Sequence, residues 1–203
     1  MLKPKKLQKT FFERNVLTVA KELLDKIFIY ADKNLNQKLS AKIIEVEAYD
    51  GKIDKASHSF NGITKRNEIM FNSGGFLYVY FTYGIHYCAN IVTGKKGEGS
   101  AVLLRAMEPI SGVDVFYKRR FDGDIIDKRK FHNLLNGPGK ICQAFNLNST
   151  HNGLDITKNS IYILDGPKIP SNEIVKTKRI GIKKSVELPW RFYIKNSIYI
   201  SKK

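Results

Sequence analysis

Residues 76–92, FLYVYFTYGIHYCANIV, constrain the fold more than any other stretch of this 203-residue chain. β-Branched and aromatic side chains lie on both sides of Tyr83–Gly84, a pattern that predicts a β-hairpin. Further strands are expected at 26–30, 39–49 and 100–107, the last ended by Glu108–Pro109, and at 160–164, 179–182, 191–195 and 197–201. In residues 12–25, Val16, Val19, Ala20, Leu23 and Leu24 recur at helical spacing. A second helix is expected from about 111 to 120. A third opens at Gly137-Pro138-Gly139 and runs to about Phe145. Residues 50–75 read as a long loop and 122–136 as a charged one. Neighbouring strands with inserted helices make this a mixed α+β domain.

Composition narrows the function. No apolar run approaches the ~20 residues of a membrane-spanning helix. The basic segment Met1–Lys6 is not followed by a hydrophobic stretch, so a cytoplasmic protein without a secretory signal is expected. Two cysteines, Cys88 and Cys142, are too few for a disulfide framework or an iron–sulfur cluster. No CxxC or HxxxH spacing supports zinc, so neither metal nor cofactor is expected. Thirty-five Lys and Arg against 19 acids give a net charge of +16, which points to a polyanionic partner, nucleic acid first. The segment 168–203 alone holds ten of the basic residues and two acids.

Within 39–49, strand alternation sets Ile44, Val46 and Ala48 on one face and Glu45, Glu47 and Tyr49 on the other. The bland interpretation is a solvated strand with two salt bridges. Against it, the strand leads into a loop carrying Asp54, Ser57, His58, Arg66 and Asn67, and polar groups converging from separate segments are what a site requires. Tyr78 and Tyr80 share a hairpin face, as expected for cross-strand packing. Tyr83, beside Gly84 at the tip, is a candidate wedge for base stacking. Glu45 is assigned a structural role. His86 and Cys88 read as packing residues rather than metal ligands. Gly137-Pro138-Gly139-Lys140 is either a phosphate cradle or a tight turn.

The runs IEVEAYDGKIDKASHSFNGITKRNEIMF, GGFLYVYFTYGIHYCANIV, AVLLRAMEPISG, NGPGKICQAF, RIGI and LPWRFYI, in that order, resemble the 3-methyladenine (alkyladenine) DNA glycosylase family, compact bacterial type. The resemblance implies a single α+β domain over 1–203, with a curved, mainly antiparallel sheet, surrounding helices and a protruding hairpin. It implies a monomeric, monofunctional enzyme of base excision repair. Such an enzyme flips alkylated or deaminated purines out of double-stranded DNA and hydrolyses the N-glycosidic bond. By the same resemblance Glu47 matches the general base that activates water, and Arg105 the arginine that holds that carboxylate and water. Ile180 matches a position whose backbone carbonyl contacts the water, next to Gly181 at the base-binding site. Tyr49, His58 and Tyr80 match the walls around the flipped base, and Asn90 a residue that disfavours the guanine 2-amino group. Tyr83 matches the residue inserted into the duplex.

That assignment needs Tyr80 and Asn90 in one pocket. A two-residue Tyr83–Gly84 loop would pair Tyr80 with Tyr87 and put Asn90 on the opposite face. A three-residue loop or a bulge, pairing Tyr80 with His86, returns it, so an irregular hairpin is expected. Two rival classes account for part of the pattern. A basic nucleic-acid-binding module leaves Glu47 beside Tyr49 unexplained, and a carbohydrate hydrolase leaves the charge unexplained.

Overall fold

A computed structural model describes residues 5–121 and 127–202. The first four residues of the basic N-terminal segment, residues 122–126 of the charged loop, and Lys203 lie outside them. Every paired strand is antiparallel. In chain order they are β1 (Ile27–Tyr30), β2 (Leu39–Tyr49), β3 (Leu77–Thr82), β4 (His86–Thr93), β5 (Ser100–Ser111), β6 (Ile161–Leu164), β7 (Ile174–Thr177) and β8 (Arg191–Ile194). They form one sheet of spatial order β3-β4-β5-β2-β1-β6. One edge of β2 is shared: its first residues pair with β1, and Glu45–Glu47 pair with β8, which carries β7. This splitting curls the sheet, and the α+β expectation with a curved antiparallel sheet holds.

The helices are α1 (Lys9–Phe12), α2 (Val16–Leu23), α3 (Val113–Phe121) and α4 (Pro138–Phe145). The helix expected over 12–25 is shorter. Asn15 breaks the chain and caps α2, its side chain accepting from the Leu17 N–H at 2.9 Å. Val16, Val19, Ala20 and Leu23 bury the stripe foreseen for them, and α2 packs on β2. α4 packs on β4 and β5 with Ile141, Cys142, Ala144 and Phe145 inward. Pro138 takes the first helical position, and a Cβ on Gly139 would lie 2.7 Å from the His86 ring. The glycine therefore lets α4 abut the hairpin.

Three expectations on strands fail. β5 runs through Glu108–Pro109 to Ser111, because its outer part pairs with β2 alone and a proline is tolerated at such an edge. Segments 179–182 and 197–201 are not strands, and β7 arises at 174–177 instead. The hairpin has a three-residue loop, Tyr83-Gly84-Ile85, as expected, but Tyr80 faces Cys88 rather than His86. The two registers have the same parity. Asn90, opposite Tyr78, therefore shares a face with Tyr80.

Candidate active site

Both carboxylates of β2 are fully buried, which disposes of the solvated-strand interpretation. The ladder between β2 and β5 slips twice around Glu45, leaving Ile44 and Arg105 without cross-strand partners. Bulges of this kind re-aim side chains. Here Arg105 reaches both acids: Nε lies 3.3 Å from Glu45 Oε1, and Nη1 lies 3.5 Å from Glu47 Oε1.

Glu47 is held from three directions. The Tyr49 hydroxyl donates to Oε2 at 2.8 Å, the Ile180 backbone N–H donates to Oε1 at 2.7 Å, and Arg105 supplies the charge. Ile180 thus meets Glu47 through its amide, a donor, an interaction separate from the carbonyl contact to water that the resemblance implies. Burial pushes the Glu47 carboxyl above its ordinary pKa, with Arg105, the Ile180 N–H and Tyr49 pulling the other way. The Tyr49 hydroxyl is itself pushed well up by burial and by Glu47, so it stays protonated and donates.

A cavity of about 540 Å³ opens in front of this group. Tyr49, His58, Tyr80, Asn90, Arg105, Ile180 and Gly181 all line it, and Tyr83 stands at its rim. Glu47 does not line it and lies behind Tyr49, Arg105 and Ile180. On one wall His58 Nδ1 lies 3.0 Å from the Tyr78 hydroxyl, and its ring meets Tyr80 edge-on at 4.6 Å. Partial burial and the nearby Arg66 lower the His58 pKa, so the ring is neutral near pH 7. Asn90 donates from Nδ2 to the Tyr78 carbonyl at 3.0 Å. Burial pushes the Cys88 thiol up to about 11, so it lines the cavity as a neutral group. Among the described residues no group of three or more His, Cys, Asp or Glu could hold a metal.

At the tip, Tyr83 is 79% and Ile85 76% exposed. The Ile85 N–H donates to the Thr82 carbonyl, and both Tyr83 (φ 52°) and Gly84 (φ 67°) are left-handed, the pattern of a type I′ turn. An aromatic in that region is uncommon and strained.

Sequence reasoning missed three partners of the buried acids: Arg179 and Arg191, both buried, and the half-buried Ser201. Arg179 forks onto Asp54, donates to the Ala48 carbonyl at 2.9 Å, and lies 4.6 Å from the Tyr49 ring centre. It thereby fixes both Tyr49 and the adjacent Ile180. Arg191 and Ser201 close around Glu45. Both arginines belong to the basic segment 168–203, and its charge gave no sign that they point inward.

A family model for methylpurine-DNA glycosylase (MPG) matches residues 10–198. Curated relatives named "Putative 3-methyladenine DNA glycosylase" align almost end to end. That of Clostridium novyi (strain NT) is 46% identical over 98% of this chain and 100% of its own length. That of Alkaliphilus oremlandii (strain OhILAs) is 45% identical with the same coverage. That of Chlorobaculum tepidum is 41% identical over 98% of this chain and 91% of its own.

Proposed function

The chain belongs to the methylpurine-DNA glycosylase family, and from that premise we propose how this DNA glycosylase performs its reaction. It acts as a monomer in the cytoplasm. It takes an alkylated or deaminated purine, rotated out of the duplex, into the 540 Å³ cavity and leaves an abasic site. The observation that carries the mechanism is the buried Glu47 carboxylate, held by Tyr49, Ile180 and Arg105 behind the cavity wall.

Alkylation at N3 or N7 makes the purine cationic and a better leaving group. As the C1′–N9 bond breaks, its electron pair leaves with the purine and positive charge grows on the sugar. The carboxylate stabilises that charge and takes a proton from water as the water oxygen bonds to C1′. A carboxylate whose proton affinity is raised by burial is a better base, provided it remains ionised at the working pH. Tyr49 and Tyr80 offer electron-rich faces to a cationic base, worth roughly 0.5–2 kcal/mol per contact. The neutral His58 beside Tyr80 adds no repulsion.

The test is a duplex carrying a single hypoxanthine or ethenoadenine, incubated with protein and then with alkali. Wild-type protein should generate an alkali-labile site. Glu47→Gln keeps the size and most of the hydrogen bonding of the side chain, but turns one acceptor oxygen into a donor and removes the charge and the basicity. Excision should fall by at least ~10²-fold while lesion binding persists. A Glu47→Gln protein that excises at the wild-type rate removes Glu47 from the reaction.

A further inference from the structure

Glu45 has no part in the reaction as proposed, yet it is fully buried and closely bonded. Its Oε1 accepts from Arg191 Nε at 2.7 Å, from Ser201 Oγ at 2.8 Å and from Arg105 Nε at 3.3 Å; its Oε2 accepts from the Ser201 N–H at 2.6 Å. Arg191 is held in turn by the Lys202 carbonyl. Ser201 Oγ also faces Arg105 itself, 3.4 Å from Nε and 3.3 Å from Nη2. Ser201 lies beyond residue 198, where the family match ends.

A guanidinium and a carboxylate left to themselves close into a two-toothed fork, Nε and one Nη on the two oxygens. Here Ser201 stands in that arrangement. Its hydroxyl occupies the Nε–Nη2 edge of Arg105, and its N–H holds Glu45 Oε2 away. Arg105 is thereby left with Nη1 directed to Glu47. We propose that Ser201 and Glu45 are positioning residues for Arg105: they set how one guanidinium is divided between the two buried acids, with Ser201 preventing its capture by Glu45. This inference rests on Glu47 being the base.

The groups that bear on Glu47 are few. Glu45 and Tyr49 lie on its own strand, Arg105 on β5 and Cys88 on β4. Arg191 is its pair on β8, and Arg179 stands in the 178–182 segment. Glu45 is faced by Arg105, Arg191 and Tyr193. Arg105 favours ionised Glu47, whereas Glu45 disfavours it.

The experiment is the pH dependence of single-turnover excision on a hypoxanthine duplex. In Ser201→Ala the N–H stays on Glu45 Oε2, but the Nε–Nη2 edge of Arg105 is freed to close on Glu45 Oε1, and the acid limb should move to higher pH by about half to one unit. The rate at the acid end should then be about three- to tenfold lower, since it changes tenfold per unit there. The alkaline plateau and lesion affinity should change by less than about threefold. Ser201→Thr keeps the hydroxyl and should restore the limb. Glu45→Gln removes the competing charge and should move the limb the opposite way, to lower pH. A merely structural role would lower melting temperatures and plateaus with the limb fixed, and that result overturns the proposal, as does a shift of both variants in one direction. If Glu45→Gln does not fold, the Ser201→Ala and Ser201→Thr pair decides alone. Failure of the Glu47 assignment is separately visible, as an active Glu47→Gln protein.

Discussion

Placing the Glu47 carboxylate inside the sheet carries a desolvation penalty that Arg105, the Ile180 N–H and the Tyr49 hydroxyl offset only in part, so its proton affinity is raised. A carboxyl with a raised folded pKa stabilises the fold below its ordinary pKa. That contribution is lost as pH rises through the folded value. At neutral pH the ionised group is therefore a net burden on the fold. Glu47→Gln should melt at the same temperature as wild type at pH 4 and higher at pH 7, by roughly 2–4 °C for each kcal/mol released. Arg105 would not be stranded, because Glu45 and Ser201 remain. A variant that melts lower at pH 7 than wild type would show that Glu47 is held for stability. Asp54 with Arg179 is the opposite case, a buried fork in which each charge answers the other. Removing one member alone should cost about 3–5 kcal/mol, read as a lowered denaturation midpoint.

At the scale of elements, the hairpin was legible because a long β-branched and aromatic run around a Tyr–Gly pair has few other folds open to it. Its loop length followed from the need to place Tyr80 and Asn90 together. The exact pairing did not follow, since registers differing by two residues leave the same side chains on each face. Runs 179–182 and 197–201 carry strand-like composition but are not strands. The Ile180 and Ser201 N–H groups donate to Glu47 and Glu45 instead of to a neighbouring strand. No local pattern announces a backbone donor whose acceptor is a side chain more than a hundred residues away, nor the inward course of Arg179 and Arg191, whose carboxylate partners are 125 and 146 residues distant. The strained, exposed Tyr83 separates fold from function. Tyr83→Gly relieves the left-handed strain, so the melting temperature should hold or rise. If the aromatic fills the gap left by the displaced nucleotide, lesion-duplex affinity should still fall by about 1–3 kcal/mol in a binding titration. Unchanged affinity would exclude Tyr83 from the interface.

For the molecule as a whole, the net charge of +16 overstates what reaches DNA, because Lys26, Arg105, Arg179 and Arg191 are buried in pairs. Lys55, Lys183 and Lys184 lie exposed around the cavity, and Arg119, Arg120 and Lys140 line the groove beside the hairpin. Two or more phosphate contacts from these would weaken duplex binding by at least about tenfold between roughly 50 and 200 mM salt. A salt-independent affinity would count against an electrostatic DNA face. The donors on which Glu47 and Glu45 depend lie 133 and 156 positions further along the chain. During synthesis β2 emerges long before them; Tyr49 and Arg105 follow early, but its two carboxylates lack these backbone donors until segments 179–182 and 197–202 leave the ribosome. The sheet can begin to gather earlier through the β1–β2 and β3–β4 hairpins, but the setting of Glu47 cannot be completed before Ile180. With Glu47 as the proposed base, a nascent glycosylase is thus inert toward DNA until the donors at 180 and 201 have been translated.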